Sequence, residues 1–212
     1  MNIESILDTL FVNRSLLIPC RDDILLSYTI LEECYNKGRK LLICGNGGSS
    51  SDADHIVGEL MKSFELPRPV DKTLAENLHK VSPEKGGYIA GKLQSGLPAI
   101  SLNAHTALFT AISNDIDPEL VFAQQITGFG NPGDVLMAIS TSGNARNVVN
   151  AAITAKAKGL KVIGMSGMTG GALKKYCDAV VCIPSSLTAE IQEYQLPVYH
   201  TLCRMLEVKF FK

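Results

Sequence analysis

Apolar residues recur at helical spacing at the start of the chain, at Ile3, Ile6, Leu7 and Leu10, and again after Pro19 at Ile24, Leu25, Tyr28 and Leu31. Both runs predict amphipathic helices, the second ending near Gly38. The rhythm then changes. Short apolar runs at 41–44, 99–102, 134–139, 161–165 and 179–183 read as five buried strands. Between and after them lie helical patterns at 52–64, 104–113, 118–127, 145–158 and 171–176, and a long final one at 188–211. Strands that are apolar throughout, alternating with helices, imply a parallel sheet covered on both faces. Right-handed crossovers favour a three-layer αβα sandwich around a five-stranded parallel, flavodoxin-like sheet. In such sheets a ligand sits at the carboxyl ends of the strands, near a topological switch point.

The segment 70–97 interrupts this alternation. It carries Asp71, Lys72, Glu76, Lys80, Glu84, Lys85 and Lys92 together with Gly86-Gly87. One short helix around 74–79 followed by loop is expected there. A connection this long is either a solvated excursion or a lid or subunit contact. Residues 1–212 are otherwise read as one domain, with N-terminal helices over 1–38 and an insertion at about 70–97.

Composition narrows the function. A net charge of −1 leaves no basic excess for a nucleic-acid surface, although a local phosphate site stays open. No apolar run is long enough to cross a bilayer. Glu4 and Asp8 near the start speak against a secretory signal, so a cytoplasmic location is expected. Cys20, Cys34, Cys44, Cys177, Cys182 and Cys203 form no Cys-x-x-Cys pair and read as small buried hydrophobes.

Two turns carry candidate chemistry. Gly45-Asn46-Gly47-Gly48-Ser49-Ser50-Ser51-Asp52 follows the first strand and opens a helix. Glycines let the backbone approach an anion, and the first helical N–H groups point at it. The helix then presents His55 and Glu59 on one face. Ser140-Thr141-Ser142-Gly143-Asn144 again follows a strand and opens a helix, with Arg146 in its first turn. The hydroxyls can donate to phosphate oxygens, or they can act as ordinary N-caps.

Together these turns resemble the paired signatures of the sugar isomerase (SIS) domain family. His55, Glu59, Asn114-Asp115 with Phe122, and Ile191-Gln192-Glu193 followed by His200 resemble its phosphoheptose isomerase branch. The resemblance covers nearly the whole chain except 70–97. It implies an isomerase converting sedoheptulose 7-phosphate to a glycero-manno-heptose 7-phosphate. Glu59 would be the base and His200 the acid. Asn46, Gly47, Ser49, Asn114, Asp115, Ser140, Thr141, Ser142 and Gln192 would contact the phosphorylated sugar. His55, Glu59, Gln192 and His200 would correspond to zinc ligands, one ion per subunit, and the assembly would be a homotetramer with active sites at subunit contacts. Neither nucleic acid nor membrane is an expected partner.

The chemistry is coherent. Aldose–ketose interconversion moves a proton between C2 and C1 through an enediol, which needs a carboxylate beside the carbon and a donor for the oxygens. Gln192 and His200 are about 12 Å apart along one straight helix, with Pro197 between them as a predicted kink. His105, after a strand end, can face the site or simply start a helix. The chain departs from the family at Ala145, Ala189, Glu190 and Gln195, where a serine, an aspartate, a basic residue and a histidine are common. Two rivals therefore stand beside the leading reading: a non-catalytic sugar-phosphate-binding regulator of the type that associates with a replication initiator, and an isomerase of another phosphosugar.

Overall fold

The structure is a computed structural model that describes residues 2–212. Five strands form one all-parallel sheet: β1 (Leu41–Gly45), β2 (Ala99–Ser101), β3 (Val135–Ser140), β4 (Lys161–Ser166) and β5 (Ala179–Cys182). Their order, β2-β1-β3-β4-β5, is the flavodoxin-like order expected from the alternation. The two faces are readable residue by residue. Leu41 and Ile43 of β1, with Val135, Met137 and Ile139 of β3, face one core. Leu42 and Cys44, with Leu136 and Ala138, face the other. This two-residue alternation between two dry faces is why the strands read as unbroken apolar runs.

The first core is covered by α1 (Ile3–Asn13), α2 (Arg21–Asn36), α3 (Gly48–Met61) and α9 (Thr188–Phe211). The second is covered by α6 (Thr106–Asp115), α7 (Val121–Phe129) and α8 (Arg146–Ala157). Short 3-10 turns at Ser15–Cys20, Pro118–Leu120 and Ala172–Tyr176 link them. α9 runs through Pro197 as one helix.

The segment expected to hold one short helix and a loop contains two helices, α4 (Lys72–Val81) and α5 (Gly86–Lys92). Gly86 reads as a breaker in sequence, but a Cβ there would lie 2.2 Å from the Leu78 carbonyl oxygen. Its missing side chain is what lets the two helices lie backbone to backbone. α3 starts at Gly48, four residues earlier than its apolar pattern suggests, so the serine run is its first turn.

One buried ion pair was not legible in sequence. Arg68 and Glu207 are 0% and 1% exposed at their side chains, with Arg68 Nε 2.7 Å from Glu207 Oε1. Glu207 also accepts from the backbone N–H groups of Phe64, Glu65 and Leu66, while Arg68 donates to the carbonyls of Leu60 and Glu59. The pair therefore satisfies the carbonyl end of α3 and ties it to α9.

All six cysteines are free; Cys20, Cys34, Cys44 and Cys203 are buried as expected, whereas Cys177 and Cys182 are half-buried. Burial pushes the thiols of Cys34 and Cys203 up to about 12, so they stay protonated.

Candidate active site

β1 and β3 are neighbours in the sheet, yet the chain leaves them toward opposite faces, β1 into α3 and β3 into α8. That is the switch point, and both serine-rich turns stand at it. They open onto one cavity of about 310 Å³ lined by Asn46, Gly47, Gly48, Ser49, Ile139, Ser140, Thr141, Ser142, Ala145, Thr188 and Gln192. Two bends about ninety residues apart in sequence thus share one polar space.

The N-capping alternative fails on the geometry. The N-caps of α3 and α8 are Gly47 and Ala145, and neither helix has a side-chain cap. The hydroxyls of Ser49, in the first turn of α3, and of Ser140 and Thr141, ahead of α8, are not consumed in capping either helix. Gly143 explains the second turn: its φ is +67°, and a Cβ would lie 2.1 Å from the Gly170 carbonyl oxygen. Asn46 and Asn147 join the two turns through their side-chain amides. Asn147 was not singled out from sequence, nor was Thr188, because the N-terminal residues of helices are commonly polar whatever they do.

A second cluster lies farther along α3 and along α9, which supplies Thr188 and Gln192 to the cavity. His55 Nε2 is 3.1 Å from Glu59 Oε1, and His200 Nε2 is 3.5 Å from His55 Nε2. Glu59 is the more sheltered, at 13% side-chain exposure against 42% for His55. Glu59 also pairs with Lys62 Nζ at 3.4 Å. Burial, and next the neighbouring His55, hold the His200 pKa below the usual imidazole range, so the ring is neutral at pH 7. Asp52 and Tyr199 stand behind the cluster. Burial raises the Asp52 carboxyl, opposed by its bond to Tyr199, and burial together with Asp52 raises the Tyr199 phenol.

Glu59 and His200 are not among the residues lining the cavity. Ser49 to Glu59 is about 15 Å along α3, and Gln192 to His200 about 12 Å along α9. Both helices start at the carboxyl ends of strands, and helical side chains lean toward the helix N-terminus. Glu59 and His200 therefore lean toward the N-terminal ends of their helices, while His200 itself lines a separate space of about 190 Å³ against Ile6, Thr9 and Leu10 of α1.

Several expected site residues sit elsewhere. Asn114 and Asp115 are exposed, bonded to each other at 2.8 Å, and do not line the cavity. They end α6, whose opposite end, at Thr106, Phe109 and Thr110, borders a smaller space beside Asn46 and Gly47. Arg146 is exposed and paired with Glu119 at 2.8 Å. His105 stacks on Phe129, with ring centroids 5.4 Å apart.

The four residues matched to zinc ligands divide in the same way. His55, Glu59 and His200 converge, and the short Nε2–Oε1 separation calls for a proton or a cation between the two lone pairs. Two imidazoles and a carboxylate are ordinary zinc donors. Gln192 instead packs on Gly48, where a Cβ would be 2.5 Å from its Nε2. Among the described residues, no group of three or more His, Cys, Asp or Glu is placed to hold a metal ion as it stands. No helix among them is long and apolar enough to cross a membrane.

Fold and site define a doubly wound α/β domain with one polar cavity at its switch point, and a family model described as SIS domain matches residues 77–167. A phosphoheptose isomerase of Nitratiruptor sp. is 39% identical over 178 residues, covering 84% of this chain and 81% of that protein. One from Crocosphaera subtropica is 40% identical over 182 residues, covering 86% and 80%. The solved phosphoheptose isomerase from Francisella tularensis superposes with a TM-score of 0.72 at 28% identity, covering 97% of this chain and 94% of that one. The chain belongs to the phosphoheptose isomerase family.

Proposed function

We propose that this protein is the isomerase that interconverts sedoheptulose 7-phosphate and a glycero-manno-heptose 7-phosphate through an enediol. The observation that carries this reading is that α3 and α9 bear both the polar cavity shared by the serine turns and, farther along, the Glu59–His55–His200 cluster. Family membership supports the same activity.

In this reading the phosphate lies against Ser49, Ser140, Thr141 and Ser142, with the N-terminus of α3 adding positive potential. Asn46 and Gly47 shape the wall, and Gln192 and Thr188 bond sugar hydroxyls. Glu59 removes the proton from C1 or C2 and returns it to the neighbouring carbon. His200, neutral and half-buried, donates to the oxygen that becomes the enediol hydroxyl. His55 holds the carboxylate and the second imidazole in register.

Finer features follow the family. His55, Glu59 and His200 would hold a zinc ion by exchanging their mutual contacts for bonds to it, with Gln192 as an outlying fourth donor. When bound, the ion would polarise the sugar carbonyl. Asn114 and Asp115, exposed at the end of α6, would reach substrate across a subunit contact in a homotetramer. The chain would act as one domain, in the cytoplasm.

Incubation of the purified protein with sedoheptulose 7-phosphate, followed by NMR, is expected to show the aldose 7-phosphate accumulating to a fixed ratio. Tight binding without turnover would replace this reading with the regulator. Turnover of a different ketose phosphate alone would replace the substrate.

A further inference from the structure

Tyr199 and Asp52 are given no part in the reaction above, yet they stand directly behind it. Tyr199 is 1% exposed and precedes His200 on α9. Its ring is edge-on to both imidazoles, 5.6 Å from His55 at 76° and 5.1 Å from His200 at 89°. Its hydroxyl lies 3.2 Å from Asp52 Oδ1 and 3.1 Å from His55 Nδ1. A carboxylate only accepts, so the phenol proton goes to Asp52. The phenol oxygen is left to accept, and the proton it accepts is the one on His55 Nδ1. His55 thereby keeps a proton on Nδ1 toward Tyr199, and its Nε2 is aimed at Glu59 Oε1 and His200 Nε2, where a second proton or a cation separates the lone pairs. His55 is 42% exposed at its side chain, so its orientation depends on such a bond more than on packing.

We propose that Tyr199, anchored by Asp52, is a positioning residue that fixes the Nδ1 proton and ring orientation of His55 and through it the Glu59–His200 pair. The proposal rests on the reading of Glu59 and His200 as the reacting groups. A ligand or catalytic histidine whose second nitrogen is bonded to a fixed acceptor presents the first with a defined lone pair, and removing such a partner commonly costs tenfold or more.

The test compares full-length parent and Tyr199→Phe carrying 15N-labelled imidazole rings, with His55 signals assigned by their loss in His55→Gln. The parent is expected to show a protonated Nδ1 at His55, and Tyr199→Phe an Nδ1 that has lost its proton in part, because the remaining acceptor, Glu59, faces Nε2. On sedoheptulose 7-phosphate, kcat in Tyr199→Phe is expected to fall about tenfold with KM within about twofold. Asp52→Asn, which keeps an acceptor oxygen, should retain the parent pattern, and Asp52→Ala should follow Tyr199→Phe. An unchanged His55 pattern in Tyr199→Phe, or a changed pattern with unchanged kcat, overturns the proposal. The Nδ1 proton is read without substrate. A parent with no isomerase activity therefore removes the isomerase reading, while the spectra still decide the contact between Tyr199 and His55.

Discussion

Asn46 and Asn147 exchange two hydrogen bonds, each amide nitrogen donating to the other's oxygen, at 2.8 and 2.9 Å. One residue belongs to the turn after β1, the other to the first helical turn after β3. The pair fixes the spacing of the two walls between which a phosphate would sit. Asn147→Ala removes both bonds, at about 0.5–1.5 kcal/mol each, and frees the turns to separate. The expected result is about tenfold weaker sugar-phosphate binding by calorimetry with a much smaller change in kcat.

Glu59→Gln keeps the shape of the side chain and removes the base. Turnover of sedoheptulose 7-phosphate should fall to background while the dissociation constant changes by no more than a few fold. Full activity in this variant would exclude Glu59 as the proton acceptor.

The Arg68–Glu207 pair is dry on both sides, so removing one partner strands a charge. Glu207→Gln or Arg68→Met is expected to cost about 3–5 kcal/mol in denaturant unfolding. The double change Arg68→Met with Glu207→Leu should cost clearly less than the sum of the two single changes, because it leaves no buried charge unpaired.

Acid stability should depend on Asp178. Burial works against its ionisation, but the Val162 backbone N–H, Lys156 and Lys161 outweigh this and hold the carboxyl below the usual aspartate range. A depressed folded value stabilises the protein fully above the unfolded value of 3.8 and loses that contribution as pH falls through the lower, folded value. Asp178→Asn should therefore lower the melting temperature at pH 7, and the gap from the parent should close as the pH is taken below about 3.8.

Local rules carried much of the way. The five apolar runs located the strands because a buried strand needs apolar side chains on both faces, and each crossover helix left a readable stripe. Gly47, Gly48 and Gly143 marked the turns because backbone shape there is set within a few residues. Gly86 misled for a related reason: a glycine that permits close helix packing is the same letter as one that breaks a helix.

The sequence by itself determined the sheet, the two serine-rich bends and the His55–Glu59 face of α3, since periodicity and turn chemistry act over short stretches of chain. Tertiary structure alone decided what those pieces meet. Strand order brought the two bends to one cavity and paired Asn46 with Asn147. The packing of α9 on α3 set His200 against His55, put Tyr199 and Asp52 behind them, left Gln192 over Gly48 and sealed Arg68 with Glu207. Those contacts join residues about a hundred or more positions apart, and no pattern along the chain encodes which distant side chains the folded layers will bring together.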